Sequence, residues 1–235
     1  MEHSYCAQYE EVLLRPLHRY DIEYLRRWRN QKELNRFLTA VGEVTEDMQE
    51  KWFGAYLSDP DVVFFAVDYR RCRTVGSIAL YEFKGDTCQI GKVVIGEKSA
   101  GGQGLGLKAF LMTARVGMEC LGIRKFLLSV HEENARARAV YEKLGFRITG
   151  SHAFAGGGKE LEMEASGSEI FGRHRVADKI YVFQEDGMKE KNLRGGYLIR
   201  RNCPASAVGV CTGTRLYTIT EERSLNYGTW LYSFV

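Results

Sequence analysis

The chain has 235 residues, of which 45% are apolar and 12% aromatic, enough to bury a full hydrophobic core. No window approaches the apolar length of a membrane span, and the first residues lack a basic segment followed by an apolar run, so we expect a cytoplasmic protein without membrane contact. The net charge is +3, and residues 188–235 carry seven Lys or Arg against three Asp or Glu, so this segment is +4 and the rest of the chain is −1. The excess is too weak to indicate a nucleic-acid partner.

The first part of the chain predicts two helices between a single strand and a group of three strands. The spacing of apolar residues predicts a helix over 21–38 capped by Asp21, and Thr45 is placed to cap a second helix over 45–57. The three β-rich runs are joined by connections short enough for hairpins, which predicts an antiparallel meander. The predicted strands are 11–17, 61–69, 73–83 and 86–96.

The second part alternates helices with strands. A helix after residue 106 carries apolar residues at i, i+3, i+4 and i+7 and ends at Gly122. The continuously apolar run 124–130 predicts a strand covered on both faces, and the helix 134–146 ends in a glycine C-cap at Gly145. Two runs, 159–165 and 179–185, predict a closing pair of strands. We therefore expect a mixed α/β sheet, mostly antiparallel and flanked by helices, with a V-shaped opening between the strands that end near Ile95 and Val130.

The window GGQGLG at 101–106 is dense in glycine and precedes a helix, an arrangement suited to holding an anion on main-chain N–H groups. A P-loop is excluded because Lys108 stands one position late and no hydroxyl follows it. The dinucleotide pattern G-x-G-x-x-A fits Gly104, Gly106 and Ala109, with Glu132 after the next strand as the ribose-binding acid. That fold requires a parallel sheet before its loop, whereas antiparallel strands are predicted here.

Two motifs resemble the GNAT superfamily of acetyl-CoA-dependent N-acetyltransferases. The window 101–106 matches the family's pyrophosphate loop [QR]-x-x-G-x-[GA], except that Gly101 replaces the leading Gln or Arg. The run NARARAVYEKLGF at 134–146 matches N-x-x-A-x-x-L-Y-x-x-x-G-F, with Val140 in place of Leu. The resemblance extends over about residues 10–187. Within the superfamily, the sequence most resembles the branches that acetylate amino groups of nucleotide-linked sugars or the N-termini of ribosomal proteins.

The resemblance implies the residues that would contact acetyl-CoA. A bulged fourth predicted strand presents main-chain amides to pantetheine and the thioester carbonyl, and Asn134 contacts pantetheine. Tyr141 protonates the departing thiolate, since a phenol with a pKa of about 10 keeps its proton at neutral pH. The cofactor-binding set is Val94, Ile95 and Gly96 on the strand, and Gly101, Gly102, Gln103, Gly104, Leu105 and Gly106 in the loop.

The general base is the weakest match to the family. Many relatives carry Glu where this chain has Gln89, and a carboxamide cannot accept a proton. Glu97 and His131 are the candidate replacements, with Glu132 beside them, acting through water. We expect no metal, because the cysteines and histidines lack the spacing of a metal site.

The acceptor is expected to be a small-molecule amine, with a nucleotide-linked amino sugar as the first hypothesis. Arg26 and Arg29 share a helix face and could pair with a diphosphate, and Asn30 could meet sugar hydroxyls. The alternative is that Trp28 anchors this helix while Arg29 and Asn30 lie in solvent. Two other functions stay open: acetylation of protein N-termini, and acyl-CoA binding without turnover, which Gln89 and Gly101 favour.

Residues 188–235 lie beyond the resemblance. Their β-prone runs, glycine-rich turns and aromatic residues argue against disorder throughout. An added hairpin, a lid or a homodimer contact are the roles that this composition allows. We therefore expect an acetyltransferase domain over 10–187 and a C-terminal extension over 188–235.

Overall fold

A computed structural model describes residues 3–184, apart from 36, 38–41, 71–72, 155–156 and 175, together with two short strands nearer the C-terminus. The strands are β1 Tyr5–Tyr9, β2 Val12–Pro16, β3 Val62–Tyr69, β4 Arg73–Lys84, β5 Thr87–Ile95, β6 Lys125–His131, β7 Arg147–Ala153, β8 Lys159–Ser166, β9 Tyr181–Gln184, β10 Tyr217–Thr220 and β11 Leu231–Phe234. The helices are α1 Ile22–Arg29, α2 Lys32–Asn35, α3 Glu46–Ser58, α4 Leu105–Cys120, α5 Ala135–Lys143 and α6 Gly167–Arg173.

Strands β1 to β9 form one sheet in the order β7-β8-β6-β5-β4-β3-β2-β1-β9. The meander from β2 to β5 is antiparallel, as predicted. β5 and β6 pair in parallel because α4 carries the chain across between them. The mixed, mostly antiparallel α/β architecture is thereby confirmed. β10 and β11 form a separate antiparallel pair.

Helices cover both faces of the sheet. The larger core lies on the α4 side, where the apolar face of that helix packs on the sheet through residues such as Phe110 and Met112. The smaller core lies on the opposite face, where Phe53 and Tyr56 of α3 pack against Phe64 of β3. Thr45 caps α3 as predicted, its Oγ1 accepting the N–H of Met48 at 3.3 Å. In the described residues no helix is long and apolar enough to cross a membrane.

The predicted helix over 21–38 is wrong in length and in its cap. It divides into α1 and α2, because the side chain of Asn30 is bound to the backbone of Val44. Its Nδ2 donates to the carbonyl of Val44 at 2.9 Å, and its Oδ1 accepts the N–H of Val44 at 2.8 Å. Asp21 does not cap α1. Its carboxylate instead accepts two hydrogen bonds from the buried Arg15, at 2.7 and 2.8 Å, and Arg15 also bonds Asp68 of β3 at 2.7 Å.

Three further strand predictions need correction. β6 is covered on one face only, since Lys125 and Ser129 are exposed while Phe126 and Leu128 are buried. The two closing strands do not pair with each other: β8 lies between β6 and β7, whereas β9 pairs with β1 at the opposite edge. β1 itself was not predicted. Apart from β10 and β11, residues 185–235 lie outside the described part of the chain, so the domain boundary at 187 and the roles of the extension stay predictions.

Candidate active site

The sheet opens between β5 and β6. Their parallel pairing covers three residue pairs and stops at Gln89 and Leu127, beyond which the strands separate around a cleft of about 1110 Å³. This is the predicted V-shaped opening. Of the predicted site residues, the cleft is lined by Val94, Ile95, His131, Asn134, Tyr141 and Arg29.

A bulge at the end of β5 shapes one wall of the cleft. Ser77 faces Val94 but Ala79 faces Gly91, so Lys92 and Val93 together oppose a single residue of β4. Beyond the bulge, the N–H of Gly96 donates to Val75 at 2.9 Å. Because successive residues of a strand direct their N–H groups to opposite sides, the N–H of Ile95 points away from β4, where β6 has separated. Ile95 therefore offers an amide to the cleft, whereas Gly96 directs its own to the sheet.

Gly96 serves the packing of α1. A Cβ at this position would lie 2.1 Å from the ring of Trp28, and Trp28 is almost fully buried. The Trp28 side chain therefore fixes α1 against the end of β5, as in the core-anchor interpretation of this residue.

The glycine loop lies next to this strand end. Gly102 and Gly104 have left-handed φ angles of +77° and +66°, and a Cβ at either would meet no atom within 4 Å. Lys108 is the first residue of α4 whose N–H bonds back, to the carbonyl of Gly104 at 3.1 Å, so the preceding N–H groups at the helix start have no partner within the helix. A Cβ at Gly106 would lie 3.8 Å from the side chain of Ile95. The loop and helix start thus fit an anionic group bound beside the bulge.

Helix α5 places two motif residues in the cleft. The Oδ1 of Asn134 caps the helix by accepting the N–H of Ala137 at 3.2 Å, which leaves its Nδ2 group as the donor. Tyr141 packs against Phe110 and Phe146, with ring centroids 5.6 and 6.1 Å away. Burial raises the pKa of Tyr141, so its hydroxyl keeps its proton at neutral pH.

The three candidate bases are all engaged or outside the cleft. His131 is buried, its Nδ1 accepts the N–H of Glu133 at 3.3 Å, and its Nε2 lies 3.1 Å from the carbonyl of Gly157. With Nδ1 as the acceptor, Nε2 is the nitrogen that donates to Gly157. Glu132 accepts the N–H of Lys159 at 2.9 Å. Glu97 is absent from the lining of the cleft.

Gln89 lines the cleft at the point where β5 and β6 separate. Its Oε1 is buried and has no hydrogen-bond partner among the described residues. Buried polar atoms in proteins are normally paired, so this oxygen is one acceptor that a group bound beside Gln89 would satisfy.

The predicted acceptor residues are separated. Arg26 is held by Glu23 through two hydrogen bonds of 2.7 and 2.8 Å, and Asn30 is bound to Val44. Arg29 lines the cleft, and burial lowers its pKa. Of the three, Arg29 alone is brought to the cleft.

The same cleft carries acidic residues that we did not predict from the sequence. Glu82, Glu160 and Glu162 all line it, and His152 bridges the last two, 3.2 Å from Glu160 and 3.1 Å from Glu162. The alternation in KELEMEA could have indicated them, because it places the glutamates on one face of the strand. These carboxylates bring negative charge to a lining that also contains Arg29 and Lys92.

Comparison with protein families matches residues 11–147 to the acetyltransferase (GNAT) domain. Two curated relatives are similar over most of their length. An N-acetyltransferase 9-like protein of Caenorhabditis briggsae is 27% identical over 180 residues, which are 70% of this chain and 88% of that protein. A spermidine N(1)-acetyltransferase of Escherichia coli is 26% identical over 194 residues, 80% of this chain and 95% of that enzyme.

Solved structures share the fold. A spermidine N-acetyltransferase from Vibrio cholerae, in complex with CoA and spermine, superposes with a TM-score of 0.63 at 20% identity, over 68% of this chain and 98% of its own. A GCN5-related N-acetyltransferase from Brucella melitensis gives a TM-score of 0.61 at 18% identity, over 75% of this chain and 88% of its own.

Proposed function

Because this chain belongs to the GNAT acetyltransferase family and transfers an acetyl group from acetyl-CoA to an amine, we propose that its acceptor is a small primary amine that carries further positive charge. The carrying observation is that three carboxylates, Glu82 of β4 and Glu160 and Glu162 of β8, line the cleft that also contains Tyr141. Of the three, Glu160 is the partly buried one, with 24% of its side chain exposed, and a carboxylate attracts a cation more strongly as protein excludes water from it. The named activity of the spermidine N(1)-acetyltransferase relative is in keeping with such an acceptor.

The chain's own groups suit the two ends of acetyl-CoA. The fit is good at the loop, where open glycines and the start of α4 would hold the pyrophosphate, and at Ile95, whose amide would meet the pantetheine arm or the thioester. Asn134 would donate to pantetheine from its Nδ2 group. The space around Gly102 and Gly104 is open, since a Cβ at either position would meet no atom within 4 Å.

Proton transfer involves two groups on the cleft. Tyr141 would give its proton to the thiolate of CoA as that leaves, since its hydroxyl is protonated and lines the cleft. Gln89 would accept an N–H of the amine on Oε1 and so direct the nitrogen lone pair to the thioester. The amine would release its proton to water, because Gln89 cannot take it and His131 has both nitrogens engaged.

A nucleotide-linked amino sugar is the second candidate acceptor. One observation favours it: Arg29 reaches the cleft and could meet a phosphate. Arg26, the other half of the proposed diphosphate pair, is already bound to Glu23. The cationic amine is therefore the better supported acceptor.

The test is an acceptor screen with acetyl-CoA that detects free thiol. We expect turnover with spermidine and 1,4-diaminobutane, weak turnover with butylamine, and little with nucleotide-linked amino sugars or N-terminal Ala or Ser peptides. Preference for a nucleotide sugar or a peptide would overturn the proposed acceptor.

A tyrosine variant separates turnover from simple acyl-CoA binding. Tyr141→Phe should lower kcat by about a hundredfold, the usual range for loss of a general acid, and leave the Kd for acetyl-CoA nearly unchanged. Tyr24→Phe makes the same change at an exposed tyrosine and should change neither. Absence of turnover with every amine, combined with tight acetyl-CoA binding, would favour the non-catalytic module.

A further inference from the structure

The ammonium group of a lysine that lines the cleft already lies against aromatic rings. The Nζ of Lys92 stands 4.4 Å from the ring centroid of Tyr81 and 6.0 Å from that of Phe64. Both distances are within the range of a cation–π contact. Lys92 belongs to the bulge of β5 and has a φ of +54°.

The aromatic rings under this ammonium are packed against neighbouring groups. The hydroxyl of Tyr81 lies 3.1 Å from the Cβ position of Gly91, so the ring lies along β5 in space that a side chain would otherwise fill. Phe64 is buried and packs edge-on against Trp52, with centroids 5.4 Å apart. All three rings line the cleft.

Nearby carboxylates partly offset the cost of withdrawing a cation from water at this point. Burial lowers the pKa of Lys92, and the negative charges of Asp59 and Glu82 act in the opposite direction. In the described residues no carboxylate forms an ion pair with Lys92. Lys92 is an exposed residue although its ammonium is partly withdrawn from water, so the ammonium can move to solvent without disturbing the core.

We propose that the face of Tyr81 and Phe64, with Glu82 at its rim, is a binding subsite for the second ammonium of the acceptor, and that Lys92 occupies it until the acceptor displaces it. This rests on the proposed function, because it assigns the place of the acceptor's distal charge. A single cation–π contact is weak, so a substrate with a matching charge can replace Lys92.

Kinetics of Lys92→Gln test the subsite. We compare the KM for 1,4-diaminobutane with the KM for butylamine, which has the same carbon chain and lacks the second ammonium. Removal of the competing lysine should lower the ratio of these two KM values about fivefold, which corresponds to one weak cation–π contact. Lys84→Gln removes the same charge from the exposed end of β4, outside the cleft, and should leave the ratio unchanged. An unchanged or higher ratio in Lys92→Gln would overturn the proposal.

A labelling experiment tests it without turnover, so that it is independent of which amine is acetylated. The wild-type protein carries lysine labelled with ¹³C at Cε, and the Lys92 signal is identified by its absence from Lys92→Gln. The Cε of Lys92 is one bond from the Nζ that lies 4.4 Å from the ring centroid of Tyr81, so the aromatic ring should shift the resonances of its hydrogens. Saturating N,N,N′,N′-tetramethyl-1,4-diaminobutane, which carries two charges, should return the Lys92 signal to the position of the exposed Lys84. An unchanged Lys92 signal would show that the diamine does not displace Lys92.

Discussion

At the scale of single residues, Gln89 lines the cleft at the separation of β5 and β6, and its Oε1 is buried with no hydrogen-bond partner among the described residues. An unsatisfied buried oxygen costs about 1–3 kcal/mol of folding stability. Such a cost is explained when a ligand, which binds only after the chain has folded, supplies the missing hydrogen bond. In the proposed reaction that partner is an N–H of the acceptor amine.

Gln89→Met separates this role from a structural one, because methionine has a similar volume and no hydrogen-bonding oxygen. We expect kcat/KM for the amine to fall about tenfold through the lost hydrogen bond. The melting temperature should stay the same or rise, since an unpaired buried atom has been removed. Gln184→Met, at an exposed position of β9, is the matched control. A stable variant with full activity would exclude the role.

Residues within one local motif could be predicted from the sequence, and residues from distant strands could not. Asn134 and Tyr141 both reach the cleft because seven residues of helix place them on one face. The carboxylates Glu160 and Glu162 reach it only because β8 inserts between β6 and β7. That pairing is long-range, and the alternation of the strand reveals a face without saying what the face meets.

At the scale of elements, the loop before α4 and the end of β5 form one unit. Ile95 contacts the Cβ position of Gly106, so the start of the helix lies beside the bulge. The first N–H groups of a helix and its dipole both favour an anion. The pyrophosphate and the thioester of acetyl-CoA would therefore be held by adjoining elements.

Gly104→Asp tests the loop. The new carboxylate would stand at the start of α4 and repel the pyrophosphate, so the Kd for acetyl-CoA should rise at least about tenfold, the equivalent of one unfavourable charge contact. Gly85→Asp is the matched control, because Gly85 has a similar φ of +63° and equally open surroundings in the turn between β4 and β5. Calorimetric titration with acetyl-CoA measures both, and equal Kd values in the two variants would contradict the assignment.

The predicted helix bounds and cap were wrong where a polar side chain forms hydrogen bonds outside its own helix. Asn30 bonds Val44 and ends α1 early, and Asp21 binds Arg15 in place of the helix start. The spacing of apolar residues predicts neither hydrogen bond, because each forms only when the chain has folded. The hairpin strands were predicted well, since their partners are neighbours in sequence.

At the scale of the whole molecule, the two ends of the acetyltransferase sheet are tied differently. β1 and β9 pair at one edge and join the start of the described chain to residues 181–184. β6, β8 and β7 form the other edge, and three residue pairs link it to β5. Because this pairing is short, β5 and β6 separate beyond it and the cleft lies between them. The pairing of each strand with its other neighbour, β4 for β5 and β8 for β6, must then hold the two walls of the cleft in place.

His3 fastens the first strand to this sheet. Its Nδ1 accepts the N–H of Tyr5 at 3.2 Å, and its Nε2 lies 2.9 Å from the carbonyl of Phe64. Burial lowers the pKa of His3 to about 4, although the hydrogen bond to Phe64 acts in the opposite direction. The folded protein therefore keeps this ring neutral well below the usual histidine range.

Acid unfolding should reveal this histidine. Since the pKa of His3 is about 4 in the folded state and about 6.5 in an unfolded chain, the unfolded state binds more protons between these values. The stabilisation is complete above pH 6.5 and is lost as the pH falls towards 4, by on the order of 2–3 kcal/mol. His3→Gln keeps a side-chain N–H for Phe64 and removes the titration, so its unfolding free energy in urea should fall less between pH 7 and pH 4.5 than that of the wild type. His174→Gln changes a histidine at the end of α6 and should retain the wild-type dependence. If His3→Gln loses as much unfolding free energy between pH 7 and pH 4.5 as the wild type, protonation of His3 does not cause the loss of stability in acid.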